Sequence, residues 1–168
     1  MPEKETLERA REDAREGKSP STQAGEFVRE EMDHIREGKH GARSTKQAIA
    51  IGLSKARRAG VKLAPPKPGK ASSRTRRQAE RDMKKAQSGR RKASAKRSRA
   101  TSGALKREGR SAASRQSLSR QARTAARKRG ASSRRQAALK AVRTKGKAGV
   151  KRAARKAART RQSHRKAA

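Results

Sequence analysis

Apolar side chains recur at helical spacing three times near the start of the chain. We predict helices over about residues 2–16, 20–37 and 45–59, because side chains three and four positions apart lie on one face of a helix. The middle segment has the strongest stripe, which only Glu31 interrupts and which consists of Ala24, Phe27, Val28, Met32 and Ile35. The pattern indicates a small helical hairpin or three-helix module over residues 1–63.

Residue types at the segment ends support these boundaries. Pro20 suits the first position of a helix, and Gly38 can end the same helix in a left-handed conformation. Ser44 and Gln47 form a capping box at the start of the third segment, and Gly60 follows its last turn. Local signals and the apolar stripes therefore predict the same helices.

The pattern changes after residue 63. Residues 64–70, APPKPGK, contain three prolines and predict a linker, because proline stops a helix and lacks a backbone donor. Residues 71–168 are mostly Ala, Ser, Lys, Arg and Gly, with bases on every side of any helix they could form. We expect a basic tail that is largely disordered in isolation and becomes helical when bound to a polyanion. The predicted fold class is all-α.

Composition limits how far the module can fold and indicates its partner. Hydrophobic residues make up 29% of the chain and Phe27 is the only aromatic residue, so we expect self-association or nucleic acid to complete the module. The net charge is +37: residues 1–63 hold 11 of the 14 acids and 14 of the 51 bases, and residues 64–168 hold 3 acids and 37 bases. Such a charge attracts polyanions, and nucleic acid is the expected partner.

No pattern in the sequence indicates an enzyme, a cofactor or a metal site. The chain has no cysteine, and GKS at residues 17–19 lacks the glycine that a phosphate-binding loop requires where Glu12 stands. The three histidines, His34, His40 and His164, are scattered along the sequence. No nucleophile with a base and an orienting group can be assembled from these residues.

Four acids of the second segment, interleaved with arginines, could form a catalytic face of paired carboxylates, and they allow two further interpretations. They are Glu26, Glu30, Asp33 and Glu37. The first interpretation is a solvated helix face held by ion pairs with its own bases. The second is an acidic surface that binds the protein's own tail when no DNA is present.

Candidate phosphate-binding residues occur in both parts of the chain. The chain lacks aromatic stacking platforms and a helix rich in base-reading side chains, so we expect binding that is mostly independent of base sequence. The candidates in the module are Lys46, Lys55, Arg57, Arg58 and Lys62. The candidates in the tail are Arg90, Arg91, Lys92, Arg127, Lys128, Arg129, Arg134, Arg135, Lys151, Arg152, Arg155 and Lys156.

Residues 21–63, and most distinctively the stretch GKHGARSTKQAIAIGLSKARRAGV, resemble an uncharacterised bacterial family of small basic DNA-binding proteins. Its members join this segment to a tail rich in Lys, Arg, Ala and Ser. The resemblance implies a bacterial source and a DNA-binding role, with no catalytic residues. By composition the tail also resembles linker-histone and bacterial histone-like tails, although it is richer in Arg than the most Lys-rich of them, which favours bidentate phosphate contacts.

The expected function is that of an architectural or nucleoid-associated DNA-binding protein that neutralises phosphates. An RNA-binding or ribosome-associated assembly factor is the alternative, and an adaptor for an acidic protein partner is a third. No window approaches 18 apolar residues and MPEKETLERA has no apolar core, so we expect neither a membrane span nor a signal peptide. The expected location is the cytoplasm, at the nucleoid.

Overall fold

The computed structural model describes residues 2–88 and 94–166, and over these residues it is all-helical, as predicted, with no strand. The helices are α1 (Lys4–Arg15), α2 (Pro20–Glu37), α3 (Thr45–Arg58), α4 (Ser73–Gln87), α5 (Ala95–Lys106), a 3-10 turn (Ser111–Ala113), α6 (Arg115–Lys128) and α7 (Gly130–Lys166). The first three helices confirm the sequence prediction to within one or two residues. Contacts divide the chain into two units, Met1–Gln121 and Ala122–Ala168.

The predicted caps set the ends of α2 and α3. Pro20 occupies the first turn of α2, and Gly38 ends that helix in the left-handed region with φ 81°. At the start of α3 the Ser44 hydroxyl accepts a hydrogen bond from the Gln47 amide, and the Gln47 side chain accepts one from the Arg43 amide at 2.9 Å. Both partners of the predicted capping box are therefore engaged.

One apolar cluster joins α1, α2 and α3. Phe27 and Ala24 of α2, Ala10 of α1 and Ala56 of α3 are buried together. The approach of α2 and α3 is close at Gly52, where an added Cβ would lie 2.7 Å from the Val28 Cα. The module predicted from the apolar stripes is therefore a packed three-helix unit in which glycine allows backbone contact.

A second apolar cluster extends the folded unit into the predicted tail. Met32 and Ile35 of α2 and Ala48 of α3 pack with Ala112 and Ala113 of the 3-10 turn. The Thr45 hydroxyl donates a buried hydrogen bond of 2.7 Å to the Ala112 carbonyl. The sequence prediction that the packed module ends at residue 63 differs from the structure here, because alanines complete the core without presenting a large apolar stripe.

Gly41 fixes the position of the same tail segment. Its amide donates to the Leu105 carbonyl at 2.9 Å, and the Ala42 amide donates to the Gly109 carbonyl at 3.1 Å. A Cβ at Gly41 would lie 1.9 Å from the Glu108 carbonyl oxygen. Only glycine fits between the two backbones as they stand.

Helix α4, beyond the Pro-rich residues 64–70, also packs on α3. Ala79 and Asp82 are buried, and the Ser54 hydroxyl donates to Asp82 Oδ2 at 2.6 Å. Arg58 Nε lies 3.6 Å from Asp82 Oδ1. One of the three acids of the tail therefore attaches α4 to the module.

The unit Ala122–Ala168 contains the end of α6 and the whole of α7. A non-helical residue, Gly146 with φ 67° and ψ 166°, kinks α7. The described part of residues 71–168 is thus mostly helical, which differs from the disorder expected for the isolated tail. Its abundant Ala, Arg, Lys and Gln are good helix formers, which gives the physical reason.

Candidate nucleic-acid interface

Bases gather on one side of α7 after the kink. With 3.6 residues per turn, six exposed bases fall within about half of the helix circumference. We call them the α7 stripe: Lys147, Lys151, Arg152, Arg155, Lys156 and Arg159. Four of them, Arg152, Arg155, Lys156 and Arg159, line a common surface depression, which shows that they are neighbours. Ala and Val occupy most of the other half of this segment, where Arg161 is an exposed base outside the stripe, so the bases are less evenly distributed around the helix than expected.

The other described tail candidates are also exposed. Arg127 and Lys128 lie in the last turn of α6, Arg129 follows it, and Arg134 and Arg135 lie in the first part of α7. No Asp or Glu occurs after residue 108, so these bases have no acid near them in sequence. They are placed where phosphate could reach them. The remaining tail candidates, Arg90, Arg91 and Lys92, lie outside the described residues.

A residue that binds phosphate must be exposed. In the module, Lys46 and Lys62 are exposed, but Lys55 is only partly exposed. Lys55 Nζ lies 3.1 Å from Glu30 Oε1 and 2.7 Å from Glu31 Oε2, two carboxylates that are almost wholly buried. These ion pairs argue against the predicted role of Lys55 in phosphate binding. Its charge is used inside the module, because buried carboxylates require a cation nearby.

Burial also argues against phosphate binding by Arg57. It is buried, and its Nε donates to the Leu63 carbonyl at 3.1 Å. Burial lowers the pKa of the Arg57 guanidinium, although the charge of Asp82 acts in the opposite direction. Arg58 is half-exposed, with Nε donating to the Ser54 carbonyl and lying beside Asp82. Arg57 is thus held by the chain that follows α3, and Arg58 lies beside Asp82 of α4.

Sequence reasoning missed a basic surface on α4. Five exposed bases lie opposite the Ala79 and Asp82 packing face, within about a third of the helix circumference. We call them the α4 stripe: Arg74, Arg77, Arg81, Lys84 and Lys85. The signal was present, since these positions are separated by three, four, three and one residues. It was hidden by the assumption that the whole tail is unstructured.

The acids of α2 are paired with bases of the first unit. Arg9 Nε lies 2.7 Å from Glu26 Oε2, and Asp33 contacts both Arg29 and Arg36. Glu37 and Glu30 contact Lys39 and Lys55, respectively. Burial alone would raise the pKa of Glu30, but hydrogen bonds from Lys55 and the Glu3 amide outweigh it and lower that pKa. These contacts favour the interpretation of a helix face held by its own ion pairs.

The structure also brings together three residues that the sequence analysis treated as separate. Potential ligand atoms of Glu31, His34 and His40 all lie within 4.8 Å of one another. The histidine rings are edge to face, with centroids 6.1 Å apart. The sequence gives only a weak signal for this group, because His40 comes next to Glu31 and His34 only through the turn at Gly38. Imidazole nitrogens and carboxylate oxygens are both common metal ligands.

None of the described helices is both long enough and apolar enough to cross a membrane.

The model of a family of unknown function (DUF6496) matches residues 17–68, which include α2, α3 and part of the Pro-rich linker. The packed α2–α3 pair is thus the part of this chain that is similar to that family, and the basic tail lies beyond it. No curated protein and no solved structure matches the chain.

Proposed function

We propose that this protein is an architectural, nucleoid-associated protein that binds duplex DNA through its phosphates. The observation that carries the proposal is the α7 stripe, six exposed bases on one half of a helix in a region that contains no acid. Bases that serve only to keep a protein soluble do not need to gather on one side of a helix. Bases on one side of a helix can all face the phosphates of one extended polyanion.

The dimensions of the α7 stripe support a duplex as the partner. From Lys147 to Arg159 the helix rises about 18 Å at 1.5 Å per residue. A DNA duplex presents one phosphate charge per about 1.7 Å of axis, so roughly ten phosphates lie along that length. The six bases can therefore each have a phosphate nearby while the helix remains straight.

The geometry supports DNA more than RNA. The major groove of B-form DNA admits an α-helix, whereas the major groove of an RNA duplex is too deep and narrow for side chains to read. The chain also lacks the aromatic residues, apart from the buried Phe27, on which single-stranded bases could stack. Its stripes consist of Lys and Arg, which contact phosphate without selecting a base sequence.

The test measures salt dependence with the full chain and two variants of equal charge. In the stripe variant, glutamine replaces Lys151, Arg152, Arg155, Lys156 and Arg159. In the control variant, glutamine replaces five bases of the same helix before the kink, which point in several directions: Arg134, Arg135, Lys140, Arg143 and Lys145. Binding to a duplex of about 30 bp is followed by fluorescence anisotropy across a range of salt concentrations.

We expect the slope of log affinity against log salt to fall by up to about 4.5 in the stripe variant, at 0.9 for each phosphate that is no longer neutralised. In the control variant this slope should fall by about 2, because only the bases on one side of that segment can face the duplex. Equal losses would show that diffuse charge, not the stripe, binds the duplex. Tighter binding to an RNA duplex of the same length at the same salt would favour the RNA-binding alternative.

A further inference from the structure

A buried carboxylate, Glu31, lies beside the two histidines of the first unit. The Glu31 side chain is 0% exposed, and neither of its oxygens has a hydrogen-bond partner among the described residues. Oε2 has Lys55 Nζ at 2.7 Å as an ion-pair partner. Oε1 faces His40 Nε2 at 3.2 Å. Buried carboxylate oxygens normally accept hydrogen bonds, and those of Glu31 accept none among the described residues.

The two imidazole rings are held from outside the cluster. His40 Nδ1 lies 3.0 Å from the Gly41 carbonyl, which can accept a hydrogen bond from it, and Nε2 lies 3.2 Å from Glu31 Oε1 on the other side of the ring. His34 Nε2 contacts Glu3 Oε1 at 2.8 Å. Metal-binding histidines typically use one ring nitrogen for the metal and donate from the other to a carboxylate or backbone carbonyl. Both rings have such a partner here.

Hydrogen bonds and close packing hold the backbone around the cluster. Glu31 and His34 are three residues apart and therefore neighbours on α2. The left-handed residue Gly38 reverses the chain, and the Lys39 amide donates to the His34 carbonyl at 3.0 Å, which returns His40 to the end of the helix. The contact of Gly41 with the backbone of residues 105–109 then fixes the loop. Three ligand groups are thus positioned by packing that does not depend on a metal.

We propose that Glu31, His34 and His40 form a site for one divalent transition metal, with Zn²⁺ the best match. Two imidazoles and one carboxylate are a ligand set that suits Zn²⁺, whereas Mg²⁺ and Ca²⁺ prefer oxygen ligands only. Water can occupy a fourth position. The site joins α2, the loop after it and, through Glu3, the start of α1, so the bound metal stabilises the module. This role is independent of the proposed DNA binding.

The experiment uses the full chain without DNA. Zn²⁺ binding is measured by calorimetry, Co²⁺ binding by its visible absorption, and thermal unfolding by circular dichroism with Zn²⁺ or with a chelator. We expect one metal per chain, a Co²⁺ spectrum of four-coordinate type and a higher unfolding temperature with Zn²⁺. Glu31→Gln, His34→Gln and His40→Gln should each weaken binding by at least about 100-fold, since loss of a mere supporting group already costs about 10–100-fold.

Two further variants keep the test decisive. His164→Gln removes the histidine that the proposal does not name as a ligand, and it should leave Zn²⁺ affinity unchanged. Glu3→Gln changes an exposed side chain that only supports His34, and it should weaken Zn²⁺ binding by about 10-fold without unfolding α1–α3, even if Glu31→Gln fails to fold. Absence of Zn²⁺ and Co²⁺ binding, or binding that survives all three ligand substitutions, would overturn the proposal and leave a buried ion-pair network of Lys55, Glu31 and His40.

Discussion

Replacing Gly41 by alanine tests whether residues 105–113 belong to the folded unit. The added Cβ would lie 1.9 Å from the Glu108 carbonyl oxygen and 2.7 Å from that of Gly109, both of them backbone atoms that cannot rotate away. Gly41 does not have a positive φ, so alanine causes no strain of its own in the backbone. The substitution should therefore act by displacing the segment that packs against it.

The size of the effect follows from the interactions that this displacement breaks. Two backbone hydrogen bonds and the bond from Thr45 to Ala112 contribute about 1 kcal/mol each. The buried methyl groups of Ala112 and Ala113 add about 0.8 kcal/mol each. The total is about 4–5 kcal/mol before the entropy of ordering the segment is subtracted.

Amide hydrogen exchange read by mass spectrometry measures this loss of stability directly. In Gly41→Ala we expect the amides of residues 41, 42 and 112–118 to exchange at least about tenfold faster, while those around Phe27 stay protected. Gly109→Ala is the matched control, because no atom lies within 4 Å of the Cβ it would add. If the two variants show the same protection, residues 105–113 do not dock on Gly41 and the extended folded unit is wrong.

The remaining predictions concern the packing of α2 and α3. Gly52→Ala should destabilise the protein by about 1–3 kcal/mol through overpacking against Val28, whereas Gly25→Ala, with open space around its Cβ, should stabilise it by about 0.5–1 kcal/mol. Urea unfolding followed by circular dichroism at the helix band measures both changes. Equal stabilisation by the two substitutions would contradict the close approach of α2 and α3. Lys55→Met should cost about 3–5 kcal/mol of stability because it leaves buried carboxylates without their cation. The salt slope of DNA binding should stay unchanged in Lys55→Met, and a slope reduced by about one would instead restore Lys55 as a phosphate-binding residue.

The helices of the module could be predicted because their signals are local. Pro20, Gly38, Ser44 and Gln47 each act within one turn, and the structure places all four at helix ends as the sequence indicated. The apolar stripe of α2 likewise became the buried face. A pattern that repeats within one helix can be read without knowledge of the rest of the fold.

The site could be predicted only in part, because accessibility depends on what packs from elsewhere in the chain. Lys55 and Arg57 look like any exposed base in sequence. In the fold, Lys55 pairs with the buried Glu30 and Glu31, and Arg57 is buried with its Nε on the Leu63 carbonyl. Glu31 is the one charged residue within the apolar stripe of α2, and this position indicated that its carboxylate would be buried. Ala112 gave no signal, since alanine is common throughout the tail.

The docking of the 3-10 turn has a consequence during synthesis. Helices α1–α3 can pack as soon as residues 1–61 are available, because their contacts are close in sequence. The second cluster must wait for Ala112 and Ala113, about 50 residues later, which corresponds to roughly 3–10 s at typical translation rates. Throughout this interval Met32, Ile35 and Ala48 lack their cover. Each new chain therefore passes through a stage in which an incomplete apolar surface is open to chaperones or to another nascent chain.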